Sequence, residues 1–151
     1  MKDSIKKIRD TYPHCCNLNR IATEKGKKYE IICTEEYLRI QIDACVINDN
    51  SLEKCDYLFI RDFNCECKKT EFFFVELKGS DIVKAFNQII ATISHIKSLP
   101  ISLKKEIIFG FIVSSKVPRG GTDVTKLKQI FASKYGKKLE VKNLYLPYKP
   151  Q

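Results

Sequence analysis

Glu71-Phe72-Phe73-Phe74-Val75-Glu76-Leu77-Lys78-Gly79 is a run of apolar, strand-forming residues that stops abruptly in a Glu-x-Lys triplet and a glycine. Side chains alternate faces along a strand, so Glu76 and Lys78 share one face while Val75 and Leu77 share the other. A carboxylate and an ammonium at the end of a core strand are costly to bury unless something uses them. One apolar segment earlier, Cys55-Asp56-Tyr57-Leu58-Phe59-Ile60 carries a second carboxylate. If the two segments are neighbouring strands, two carboxylates and one lysine converge at a sheet edge.

The flanking sequence supports that arrangement. Tyr37 to Ile47 alternates, with Leu38, Ile40, Ile42, Ala44 and Val46 on one face, which predicts a half-buried strand. Asn48-Asp49-Asn50-Ser51 is a turn signal, and residues 62–70 form a polar hairpin connection. After Gly79 the period changes. Ile82, Phe86, Ile89, Ile90, Ile93 and Ile96 follow helical spacing, Ser80 and Asp81 are available as N-caps, and Pro100 closes the region. Ile107 to Val113 predicts a buried strand. A basic loop over residues 114–121, a helix over 122–135 and a strand over 139–146 follow. Upstream, residues 2–12 predict a short amphipathic helix ending near Pro13. Residues 14–26 carry no clear pattern, Lys25-Gly26-Lys27-Lys28 reads as a basic loop, and Tyr29 to Cys33 as a short strand. The principal elements run (α)-β-β-β-α-β-α-β, an α/β order.

The chain of 151 residues, 44% hydrophobic, is long enough for one domain spanning 1–151 with a real core. Lys+Arg 27 against Asp+Glu 18 leaves a net charge of +9, which favours anionic partners, nucleic acid first and an anionic membrane second. The N-terminus lacks the apolar stretch of a signal peptide, and no apolar run approaches membrane-spanning length. A cytoplasmic location is therefore expected. Seven cysteines is an odd number, and without a secretion signal reduced thiols are the expectation.

Oxygen ligands at this position suit metal-assisted phosphodiester hydrolysis. That reaction needs a deprotonated water, charge stabilisation on the transition state and help for the leaving oxygen. A hard divalent cation, Mg²⁺ or Mn²⁺, supplies these when carboxylates hold it and leave open positions. Asp56 and Glu76 are the candidate ligands, with the Leu77 backbone carbonyl completing the shell. Lys78 is the candidate to assist water activation or offset developing charge. The triplet alone decides little, since Glu66-Cys67-Lys68 and Glu140-Val141-Lys142 also have it. Only Glu76-Leu77-Lys78 ends an apolar strand, follows an Asp-bearing strand and opens into a helix. The competing reading is an ordinary ion pair at a sheet edge.

Asp56…Glu76-Leu77-Lys78 in this order of elements resembles the PD-(D/E)xK, or restriction-endonuclease-like, nuclease superfamily. The resemblance covers roughly residues 37–115. It implies an αβββαβ core with a central mixed sheet flanked by helices, and a Mg²⁺- or Mn²⁺-dependent nuclease. Asp56 matches the strand-two aspartate, Glu76 the acidic residue and Lys78 the lysine. Cys55 stands where the nominal pattern has proline. Gln88 resembles a glutamine that some branches place on the following helix, and Lys84 lies one turn before it. Because most of the superfamily acts on DNA, DNA is expected ahead of RNA, as substrate of an endodeoxyribonuclease. The alternatives are an RNA-directed nuclease and a non-catalytic nucleic-acid or protein-binding module that keeps the fold. A homodimer or a partner protein supplying specificity also fits so short a chain.

Other assignments are secondary. Many members carry an acidic residue on the first helix, and Glu24 is a candidate if residues 14–25 are helical, in competition with Glu30, Glu35 and Glu36. Asp43 is a candidate to edge the site. Lys116 and Arg119, in the loop of residues 114–121, are candidates for phosphate contacts, and Lys25, Lys27, Lys28, Lys68 and Lys69 for extending the track. His14-Cys15-Cys16 and Cys65-x-Cys67 lack the usual zinc spacing. His95, late in a helix among isoleucines, reads as a packing residue.

Overall fold

A computed structural model describes residues 2–61, 70–77, 79–99, 101, 103–116 and 121–151. α1 (Lys2–Thr11) leads through a 3-10 turn (Pro13–Cys15) to β1 (Cys16–Asn17), β2 (Ile21–Glu24), β3 (Lys27–Ile31), β4 (Tyr37–Gln41), β5 (Tyr57–Arg61) and β6 (Glu71–Glu76). α2 (Ile82–Lys97), a second 3-10 turn (Lys105–Ile107), β7 (Ile108–Ser114), α3 (Gly121–Lys134), β8 (Lys138–Asn143) and β9 (Tyr145–Tyr148) complete the chain.

Six strands form a mixed sheet in the order β1-β4-β5-β6-β7-β8, and β2-β3-β9 form a second, smaller sheet. β1–β4, β4–β5 and β5–β6 pair antiparallel, while β6–β7 and β7–β8 are parallel. The change of direction follows from the connections: β6 reaches β7 through the α2 crossover, and β7 reaches β8 through α3. Strand alternation divides the core in two. Leu58, Ile60, Phe72, Phe74, Ile108 and Ile112 face a cluster that holds Ile5 and Ile8 of α1, the buried stripe of α2, and Phe131 of α3. Phe59, Phe73, Val75, Phe109, Phe111 and Val113 face Ala22, Tyr29, Ile31 and Leu146 of the second sheet. The molecule is thus three layers: helices, large sheet, small sheet. Because β6 and β7 are covered on both faces, every residue in them is buried and they read as continuous apolar runs.

α2 forms where its spacing predicts. The Asp81 side chain accepts from the Lys84 N–H as the N-cap, and Ala85, Phe86, Ile89, Thr92, Ile93 and Ile96 line the buried stripe. α3 lies close on the sheet because Gly136 has no side chain. A Cβ there would come within 2.5 Å of Phe131 Cε1 and 2.6 Å of the Ile108 carbonyl oxygen.

Several expectations are corrected. The Tyr37–Ile47 segment is not one strand: β4 ends at Gln41, and the chain turns through Ala44 at φ 60°. Ile42 keeps its buried place, while Ala44 is exposed. The last strand is two. Leu144 at φ 62° breaks it, so that β8 extends the large sheet and β9 pairs with β3 in the small one. Residues 21–24 are strand β2, not helix, so Glu24 is no first-helix acid. Lys27 and Lys28 belong to β3, and Lys27 is buried. The sheet is not flanked by helices on both sides, since the second sheet takes one face. Cys15 and Cys45 form a disulfide, against the expectation of reduced thiols. The hairpin connection at residues 62–69, with Cys65 and Cys67, lies outside the described residues. Among the described residues no helix is long and apolar enough to cross a membrane.

Candidate metal and active site

β5 and β6 bring the two predicted carboxylates together. Tyr57 pairs with Val75 in the antiparallel ladder, so one further step sets Asp56 opposite Glu76. The Asp56 N–H donates to the Val75 carbonyl at 3.2 Å, which carries the pairing to that step although β5 is assigned only from Tyr57. Cross-strand partners share a face, and Phe72 and Phe74 show that the face of Glu76 is the helical one. Both carboxylates then converge on one donor. The Leu77 N–H donates to Asp56 Oδ2 at 2.8 Å and to Glu76 Oε1 at 3.1 Å. Asp56 is 4% exposed and Glu76 0%.

The neighbouring thiol registers this concentration of charge. Burial pushes the Cys55 thiol up, and the negative charges of Glu76 and Asp56 push it further. Cys55 is therefore no activated nucleophile. Its backbone is held from α2: Thr92 Oγ1 accepts from the Cys55 N–H at 2.7 Å and donates to the Gln88 carbonyl at 2.9 Å. Thr92 went unremarked in the sequence reading. Its signal was a hydroxyl on a helical stripe otherwise made of Ala85, Phe86, Ile89, Ile93 and Ile96.

The rim is assembled from the connections after β6 and β7 and the first turn of α2. Gly79, at φ +85°, makes the left-handed turn that a residue with a Cβ resists, and its carbonyl accepts from the Ser115 N–H at 3.1 Å. The carboxyl ends of β6 and β7 are thereby tied together beside the first turn of α2, the end of an α/β sheet where ligands gather. Lys116 follows, exposed, its carbonyl accepting from Ser114 Oγ at 2.7 Å. Lys84 is exposed on the first turn of α2, and Gln88 is half-buried one turn before Thr92 on the same stripe. Lys78 and Arg119 lie outside the described residues.

Asp43, Glu30 and Glu35 have partners of their own. Asp43 pairs with Lys54 at 3.9 Å, while its N–H and that of Ile42 approach the Asp56 carbonyl at 3.4 and 2.9 Å. Glu30 accepts from Tyr145 Oη at 2.8 Å on the small sheet, and that bond, with Lys28 beside it, lowers its pKa. Glu35 takes two hydrogen bonds from Arg61 at 3.0 Å each. Arg61 also bonds Glu71 at 2.7 Å, at the opposite end of the strands. A cavity of about 530 Å³ opens at that end, but Glu35, Glu71 and the Gln151 carbonyl already occupy its arginine.

Two buried carboxylates aimed at one point are a hard-oxygen donor set, and their mutual repulsion is relieved by a cation between them. The donor chemistry therefore fits Mg²⁺ or Mn²⁺, whereas zinc prefers nitrogen and sulfur. No protein-family model, no curated protein and no solved structure matches the chain.

Proposed function

We propose that this protein is a metal-dependent nuclease of the PD-(D/E)xK kind, cleaving phosphodiester bonds in DNA. One observation carries the reading: Asp56 and Glu76, buried on adjacent strands, accept from the same Leu77 N–H. The order β4, β5, β6, α2 and β7, with β6 parallel to β7 and with α1 earlier in the chain before β1, β2 and β3, supports it. The net charge of +9 supports an anionic substrate.

Asp56, Glu76 and the Leu77 carbonyl would hold Mg²⁺ or Mn²⁺. When bound, the ion supplies acidification of a water and charge stabilisation at the phosphorus. The Leu77 N–H fixes both carboxylates in place before substrate arrives, and Thr92 holds the backbone beside Asp56. Lys78, two residues after Glu76 in the sequence, is assigned to offset the charge that develops as water oxygen bonds to phosphorus and the ester bond breaks. Gln88 orients substrate or water from α2. Lys84 and Lys116, with Arg119 three residues after Lys116 in the sequence, take the flanking phosphates.

The test is cleavage of DNA, with RNA in parallel, by purified protein in Mg²⁺ or Mn²⁺. Asp56→Asn, Glu76→Gln and Lys78→Ala are each expected to lose about 100-fold or more in rate. Equal cleavage by the three variants and the wild type rejects the assignment. Cleavage of RNA alone would move the substrate without moving the site.

A further inference from the structure

A second group of metal-ligating side chains lies away from the carboxylates. One ligand atom each from His14, Cys15 and Cys45 lies within 4.8 Å of the others, and among the described residues no other three His, Cys, Asp or Glu side chains are gathered so closely. Sequence spacing conceals the group, because Cys45 is 30 residues from Cys15. We propose that, when Cys15 and Cys45 are reduced, His14, Cys15 and Cys45 bind one zinc ion in place of the disulfide.

The donor set points to zinc. Two thiolates and an imidazole are the soft and borderline ligands that zinc takes, and hard cations such as Mg²⁺ decline them. The backbone holds the ligands independently of the sulfur–sulfur bond. Cys15 closes the 3-10 turn after α1, with its N–H donating to the Tyr12 carbonyl at 3.0 Å. Cys45 sits in the tight turn after β4, where its N–H donates to the Ile42 carbonyl at 3.3 Å and its carbonyl accepts from Asn48 Nδ2 at 3.1 Å. The two Cα atoms are 5.8 Å apart. Sulfurs on one tetrahedral zinc stand roughly 3.8 Å apart with Zn–S bonds of about 2.3 Å, a separation that side-chain rotation reaches from this backbone. Burial differs usefully across the group. Cys15 is buried, Cys45 half-buried and His14 exposed, so the ion has a path in and a fourth position open to water.

Ion and disulfide exclude each other, since both use the same two sulfurs. Reduction by a phosphine gives each sulfur one electron and one proton while the phosphine takes oxygen from water. Metal binding then releases the two thiol protons. Either cross-link joins the turn after α1 to the connection whose Ile42 N–H supports the Asp56 carbonyl. The zinc proposal stands without the nuclease reading, and its test does not use activity.

The experiment is titration of the full chain with Co²⁺, after phosphine reduction and chelator dialysis, followed by absorbance. The expected result is a thiolate-to-cobalt charge-transfer band that saturates at one equivalent and is bleached by Zn²⁺. Cys45→Ser should abolish that band, and His14→Ala should weaken the affinity at least tenfold, with helix content by circular dichroism unchanged in both. No band in the reduced wild type, the same band in Cys45→Ser, or unchanged affinity in His14→Ala overturns the proposal.

Discussion

Thr92 is the side chain on which the position of the Asp56 segment most directly depends. It accepts from the Cys55 N–H in a buried place. Thr92→Val keeps the shape and removes the acceptor, so it is expected to cost about 1–3 kcal/mol in a urea titration and to lower the metal affinity of the carboxylates. The buried acids of weak ionisation set a second expectation. Burial raises the Cys55 thiol above its ordinary 9.0, and the Tyr29 and Tyr37 hydroxyls above 10.0. The folded chain then holds protons that the unfolded chain releases, so stability is full below pH about 9 and falls as pH rises beyond it. Urea midpoints measured between pH 7 and pH 11 should decline only in the alkaline limb. Asp56 and Glu76 were legible as partners because alternation and chain order determine which face each takes. The Cys15–Cys45 pair was not, because spacing in sequence carries no information about which distant turns meet.

At the level of elements, α2, β6 and β7 were readable because each carries one strong period and a clear stop. The misread elements are those ended by single backbone conformations. Ala44 and Leu144 adopt left-handed φ values without being glycine, so nothing in composition marks the ends of β4 and β8. The helix over the far strands has its own test. Gly136→Ala places a methyl against the Ile108 carbonyl and the Phe131 ring, and is expected to destabilise by about 1–3 kcal/mol, read as a lowered thermal midpoint. Arg61 ties Glu71 of β6 to Glu35, which precedes β4. Arg61→Ala leaves Glu71 buried without its partner, and a loss of about 3–5 kcal/mol is expected by the same measurement.

Across the whole molecule, the three-layer build explains why the site is where it is. The small sheet seals one face of the large sheet and the helices the other, so the remaining access to the ends of β6 and β7 is along their carboxyl edge. The order of periodic segments foretold an α/β fold but not that the two faces of the sheet would be covered by different kinds of layer, since β2, β3 and β9 are short and β9 lies far along the chain from the other two. If the proposed DNA substrate is bound through its phosphates, its binding weakens steeply with salt. Lys84→Ala and Lys116→Ala should each lower the salt slope by about 1 if these residues meet phosphates. All of this turns on whether Asp56 and Glu76 hold a hard cation. Crystals soaked in Mn²⁺ and recorded for anomalous scattering test that directly. The account predicts a peak between the two carboxylates, at coordination distance from an oxygen of each. Full manganese soaking with no peak there, and both carboxylates still resting on the Leu77 N–H, would contradict it.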